Sequence, residues 1–208
     1  MIRKGMFLSL ALLVFIFIVG CTAARPKIPM ESNSSQPGTT VARAGAMIKL
    51  LGTPIAVDQP IPTTKLVDAM TMKDLDLAQE KGAILFLSIV PSIDTAVCEE
   101  QSHYLGEEGE KLPKEVRRIT ISRDTPFAQK RFAKEAKLAN LQYVSDYKEG
   151  SFGRATGLLM EGSMLLARAV VLVDKKGTVR YIQVVPEITH LPDMEKAFQK
   201  AMELAKEP

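Results

Sequence analysis

The sequence predicts a mixed α/β fold, a central mixed sheet flanked by helices. Three observations point there. The apolar run GAILFLSIV at residues 82–90 has the length and composition of a strand buried on both faces. Segments that alternate apolar and polar residues are interleaved with segments of helical period. The clearest hairpin, LLARAVVLVD and TVRYIQVV joined by the turn DKKG, comes late and is followed by one more helix.

In chain order, AMIKLLGTPIAV (46–57) reads as two short strands around the turn residues Gly52, Thr53 and Pro54. A proline-punctuated loop leads to KLVDAM and then to the central strand. From Thr95 to about Leu112 the pattern is polar and helical. VRRITIS (116–122) alternates as a strand. Thr125 before Pro126 is a helix start, an N-cap followed by proline in the first turn. The helix that follows has Ala128, Phe132, Ala136 and Ala139 on one face. LQYVSD is a short strand. Beyond the hairpin, Pro192 opens a last helix, with Met194, Ala197, Phe198, Ala201 and Ala205 along one side.

The 208 residues allow one domain of ordinary size plus extra segments. Hydrophobic residues at 46% and charged residues at 25% exclude wholesale disorder. The net charge of +3 includes Arg3 and Lys4 of the N-terminal twenty residues; without them 25 basic side chains face 24 acidic ones. That balance gives no nucleic-acid footprint and no basic membrane-binding face.

Residues 1–20 read as a lipoprotein signal peptide. MIRKG is a short basic start, and the apolar run that follows, about fifteen residues long, has the length of a signal-peptide core. A membrane span needs roughly twenty such residues. The run ends in Ile18-Val19-Gly20-Cys21, which resembles a bacterial lipobox and implies lipidation of Cys21 after cleavage before it. The alternatives are a secreted protein with Cys21 free, or an uncleaved anchor. Residues 21–45, rich in Pro, Ser, Thr and Gly, read as a flexible tether. The domain of residues 46–208 would then sit in the bacterial cell envelope, outside the cytoplasmic membrane and anchored to it by lipid.

The other cysteine, Cys98, follows the central strand in PSIDTAVCEEQ. With Thr95 as N-cap it occupies the third helical position, where peptide N–H groups and the positive end of the helix dipole face its sulfur. Such surroundings favour the reactive thiolate. Glu99 and Glu100 oppose it, so a cation from elsewhere in the chain is required. An inert cysteine packed as a small hydrophobe accounts for the spacing equally well.

Pro91-Ser92-Ile93-Asp94-Thr95-Ala96-Val97-Cys98 matches the P-x-x-x-T-x-x-C signature of peroxiredoxins. The longer strings LSIVPSIDTAVC, SRDTPFAQKRF, SDYKEGSFGRATGLL, LLARAVVLVD and VRYIQVVPEIT resemble the thiol peroxidase subfamily, in the same order, over about residues 84–190. The resemblance implies a thioredoxin-like fold, a homodimer, and an enzyme that reduces hydrogen peroxide or organic hydroperoxides without a cofactor. By the same resemblance Cys98 is the peroxidatic nucleophile. Thr95 offers its hydroxyl to the sulfur and the bound peroxide, Pro91 shields the pocket from water, and Arg168 supplies the missing cation.

One departure concerns turnover. Members of this subfamily carry a resolving cysteine in the helix after the SRDxPFAQxRF string, and here that position is Ala133. The resemblance therefore implies a one-cysteine mechanism with an external thiol reductant, either a thioredoxin-like protein or a small thiol. The rival reading is a non-catalytic redox-sensing or binding module on the same fold. A thiol–disulfide oxidoreductase lacks its C-x-x-C. His103 and His190 have no metal-ligand spacing, and Gly150, Gly153 and Gly157 lack the Gly-Lys-Ser/Thr ending of a phosphate loop. The ten methionines mostly fall at apolar positions and are assigned to core packing rather than to copper binding.

Overall fold

A computed structural model describes residues 27–138 and 140–207. The expected signal peptide, the lipidation site Cys21 and Ala139 lie outside the described residues. In chain order the elements are β1 (Met30–Glu31), β2 (Thr40–Arg43), β3 (Ala46–Leu51), β4 (Leu66–Asp68), β5 (Asp74–Leu75), β6 (Ile84–Ile89), α1 (Ala96–Glu107) and β7 (Val116–Ser122). There follow α2 (Pro126–Ala136), β8 (Gln142–Ser145), α3 (Ser151–Thr156), β9 (Leu159–Met160), β10 (Ala169–Val173), β11 (Val179–Val184), β12 (Leu191–Pro192) and α4 (Met194–Ala205).

Seven strands form the central sheet in the order β11-β10-β6-β7-β8-β4-β5. β6, β7 and β8 run parallel, and β10 lies antiparallel to β6. All six residues of β6 are buried, as an apolar strand covered on both faces must be. The two faces make separate cores. Leu85, Leu87, Ile89, Ala169 and Val171 face one way, with the β2–β3 hairpin and Phe152 of α3. Phe86, Val170 and Leu172 face the other, with Cys98 and Leu105 of α1, Phe132 of α2, and Met194 and Phe198 of α4. Burial of each of these large side chains contributes roughly 1.5–3 kcal/mol.

The helix starts follow local chemistry. Thr125 caps α2, its hydroxyl accepting from the N–H of Ala128 with Pro126 in the first turn. Asp193, not Pro192, caps α4, its carboxylate accepting from the N–H of Lys196 at 3.0 Å; Pro192 instead pairs with Glu31. In the DKKG turn Asp174 accepts from the N–H groups of Lys176 and Thr178, and Gly177 takes the positive φ of 86°.

Three expectations need correction. The tether assigned to residues 21–45 is docked from Pro29 onward. Leu191 N–H donates to Pro29 O at 2.8 Å, Ser35 N–H donates to Val184 O at 2.8 Å, and the Gln183 amide donates to Glu31 O and Asn33 O. Polar composition predicts little burial, yet a polar strand can still satisfy its backbone on a sheet edge. The second strand of AMIKLLGTPIAV is absent, because Thr53 and Ile55 give their N–H groups to Arg154 O and Thr156 O beside α3. Gly52 permits this approach: at φ 107°, a Cβ there would lie 2.0 Å from Arg154 O. The methionines are not all core, since Met30, Met47, Met70, Met72 and Met202 are exposed.

A candidate thiol site at the carboxyl end of β6

The chain leaves β6 through Val90 and Pro91, turns, and enters α1 at Ala96. Asp124, two residues beyond the end of β7, holds the turn. Its carboxylate accepts from Ser92 Oγ and from the N–H of Ile93, both at 2.8 Å. Thr95 stands at the N-cap with extended backbone (φ −124°, ψ 143°), and Cys98 is the third helical residue. The sulfur is fully buried between the first turn of α1 and the sheet, within the core cluster that contains Val90, Ile93 and Val170.

Sheet register brings the cation. Ala169 of β10 pairs with Ile89 of β6, so the preceding residue, Arg168, falls beside the chain where it leaves β6. Alternation then puts Arg168 on the same face as Val170 and Leu172, the face covered by α1. Its guanidinium donates through Nη2 to Cys98 Sγ at 3.3 Å, through Nη1 to Gln101 Oε1 at 2.7 Å, and through Nε to Ile188 O at 2.8 Å. Gln101 is oriented in turn, its amide donating to Ser88 Oγ at 2.8 Å.

Arg168 is 2% exposed and, among the described residues, forms no ion pair with a carboxylate. A buried cation needs compensating negative charge. Two neutral carbonyl oxygens and one sulfur surround it, so the sulfur is the group able to supply that charge. The hydrogen bond from the guanidinium is of the charge-assisted kind, stronger to an anionic acceptor than to a neutral one. Glu99, expected to oppose the thiolate, is exposed and lies 3.9 Å from the His103 ring on the outer side of the helix.

Beside the thiol a pocket of about 240 Å³ is lined by Pro91, Ser92, Thr95, Val97 and Arg168. Arg168 has five N–H donors and three named partners, which leaves donors for a bound oxygen. Thr95 differs from expectation. Its hydroxyl donates to Ser92 O at 3.2 Å and makes no bond to the sulfur, the local side-chain-to-backbone bond that a Thr in a tight turn forms readily. The oxygen keeps acceptor capacity toward the pocket it lines. Pro91 is buried at the pocket wall. A larger cleft, about 710 Å³ around Pro113 and Asn140, lies at the amino ends of β7 and β8 and holds neither the thiol nor its arginine.

The structure therefore brings Cys98 and Arg168 into contact and places Thr95 and Pro91 along the lining of the adjoining pocket. It adds Gln101 and Asp124, which sequence reasoning missed. Gln101 had a readable signal, a polar residue three positions after Cys98 and hence on the same helix face. Gln101→Ala should lower kcat/KM for peroxide by about tenfold, because it frees one arm of the guanidinium. Slower alkylation of Cys98 by iodoacetamide in the same variant would separate a positioning role from lost folding stability.

Among the described residues no group of three or more His, Cys, Asp or Glu side chains is arranged to hold a metal ion. Residues 56–198 match the family model described as Redoxin. A thiol peroxidase of Halalkalibacterium halodurans is 38% identical over 157 residues, 76% of this chain and 93% of that protein. A thiol peroxidase of Bacillus subtilis is 37% identical over 163 residues, 78% of this chain and 96% of that protein. Among solved structures, a peroxiredoxin-like protein from Aquifex aeolicus superposes with a TM-score of 0.76 at 31% identity, covering 83% of this chain and 99% of the other. A thiol peroxidase from Chromobacterium violaceum shares the fold, with a TM-score of 0.66 at 19% identity over 79% and 97% of the two chains.

Proposed function

This chain belongs to the Redoxin family and, within it, to the thiol peroxidase subfamily of the peroxiredoxins, and from that premise we propose that Cys98 reduces hydroperoxides in a one-cysteine cycle. The observation that carries the reading is the buried Arg168 guanidinium 3.3 Å from the Cys98 sulfur, with no carboxylate paired to it among the described residues. In the first half-reaction the thiolate attacks one oxygen of R–O–O–H. An S–O bond forms, the O–O bond breaks, and sulfur gives up two electrons to become sulfenic acid. The leaving RO⁻ takes a proton and departs as an alcohol, or as water when R is hydrogen. Donors of Arg168 directed at the peroxide oxygens stabilise the charge that moves onto the leaving oxygen. The Thr95 oxygen accepts the peroxide's hydrogen bond, and buried Pro91 keeps bulk water from the sulfur.

The second half-reaction uses thiols from outside the domain. Position 133 is alanine, and the only other cysteine in the sequence is Cys21. An external thiol attacks the sulfenic sulfur, water leaves, and a mixed disulfide forms; a second thiol then releases Cys98 as thiol. A thioredoxin-like protein or a small dithiol fits this role. The test is peroxide consumption by the purified protein with thioredoxin or dithiothreitol as reductant. Thiol oxidised in proportion to peroxide lost, well above the protein-free rate, is expected. A rate equal to that background would overturn the reading.

The envelope location belongs to the same proposal. It is supported by the basic start, the apolar run of signal-peptide length and Cys21 directly after Ile18-Val19-Gly20. Several acyl chains on Cys21 would anchor the enzyme far more firmly than the marginal binding a single chain gives. Pairing of two copies, implied by the family, completes the proposal.

A further inference from the structure

We propose that Arg43 selects hydroperoxides that carry a carboxylate at the end of an apolar body, an inference that rests on the peroxidase reading of Cys98. The pocket beside the thiol is lined also by Arg43, Ile48, Met160, Leu165 and Ile188. Its volume of about 240 Å³ greatly exceeds the on the order of 15 Å³ that one water-sized molecule occupies. Hydrogen peroxide alone leaves most of it unfilled. Apolar side chains line it together with the hydroxyl residues Ser92, Thr95, Ser163 and Thr189; the two charged side chains that line it are both arginines, with no acid among the lining residues.

The two arginines are in opposite states. Arg168 is buried and tied to Cys98, Gln101 and Ile188. Arg43 is exposed, and among the described residues it has no hydrogen bond or ion pair from its side chain. Its backbone is nonetheless held firmly. Arg43 ends β2 at a tight hairpin whose turn residues, Ala44 and Gly45, both have positive φ, 48° and 81°. The Ala42 N–H donates to Pro186 O at 2.6 Å, and the Ile188 N–H donates to Ala42 O at 2.9 Å. Ile188 is also the residue whose carbonyl receives Arg168 Nε, so one residue ties the end of β2 to the buried arginine.

The neighbouring carboxylate of Glu187 does not occupy Arg43. It accepts from the N–H groups of Ala44 and Gly45 and from the N–H and hydroxyl of Thr189. Burial raises its pKa, but these donors outweigh burial and hold it below the usual carboxylate value. A ligand with its peroxide at Arg168, whose guanidinium also holds the buried Cys98 sulfur, an apolar stem along Met160 and Leu165, and an anion at Arg43 matches the groups that line the pocket. Arg43 is a planar donor suited to a carboxylate.

The test compares three peroxides at low ionic strength: a medium-chain hydroperoxy fatty acid below its micellar concentration, its methyl ester, and hydrogen peroxide. Each is measured with the wild-type protein, Arg43→Gln and Arg43→Glu. The wild type should favour acid over ester by about threefold in kcat/KM, the scale an exposed ion pair supplies. That ratio should fall to about one in Arg43→Gln, drop below one in Arg43→Glu, and shrink in the wild type at about 1 M salt. A wild-type ratio of one or less, or an unchanged ratio in Arg43→Gln, overturns the inference while hydrogen peroxide reduction still supports the peroxidase reading. Failure of the wild type on all three peroxides overturns both.

Discussion

Cys98→Ser removes peroxide reduction, lowering kcat/KM for hydrogen peroxide by at least about 10³-fold, the scale on which loss of a nucleophile acts. A serine hydroxyl is close in size to a thiol and can still accept a hydrogen bond from Arg168, so packing of the fully buried site is disturbed little. What disappears is an atom able to carry negative charge near neutral pH and to give two electrons to oxygen. The measurement is the initial rate of peroxide loss with excess dithiothreitol, alongside thermal unfolding of the same samples. A folded Cys98→Ser protein that retained a tenth of the wild-type rate would rule out Cys98 as the nucleophile.

Arg168→Lys is the second large effect, with an expected loss of about 10²–10³-fold, the range found when a preorganised donor to a developing charge is removed. Lysine keeps the charge and loses the planar fork. A single ammonium cannot reproduce the three directed bonds to Ile188 O, Gln101 Oε1 and Cys98 Sγ. Arg168→Met tests the other half of the argument by removing the buried charge as well. It leaves Gln101 Oε1 and Ile188 O without this donor, at roughly 1–3 kcal/mol of stability each. Activity in Arg168→Lys close to the wild-type rate would mean that the guanidinium geometry is unimportant. An ultraviolet thiolate absorbance that fell in both variants would tie the loss to the sulfur's charge state.

Much of the fold was legible because its signals are local. The run at 84–89, the alternation of 116–122, the Thr125-Pro126 helix start and the hairpin around DKKG each report a backbone state through nearby residues. The docked segment from Pro29 was not legible, since its bonds go to Val184, Gln183 and Leu191, about 150 residues away. The site divides in the same way. The position of Cys98 at the start of α1 follows from its neighbours in sequence. Its contact with Arg168 spans 70 residues and is set by the Ala169–Ile89 register, which no periodicity encodes; only the family resemblance pointed to it. The family resemblance gives the Thr95 hydroxyl to the sulfur and the peroxide, whereas in the structure it donates to Ser92 O within its own turn. Arg43 offered no sequence signal, because its place in the pocket depends on how the β2–β3 hairpin docks against Ile188.

The account's central claim is that Cys98 alone carries the oxidation and that its reduction comes from outside the domain. Intact and peptide mass spectrometry of the protein after one equivalent of hydrogen peroxide, with a sulfenic-acid trap such as dimedone, tests it most directly. The account predicts one trapped adduct on the Cys98 peptide and no intramolecular disulfide, with Cys21 recovered in its lipidated form. A Cys21–Cys98 disulfide, or peroxide consumed with the Cys98 peptide unmodified, would contradict it.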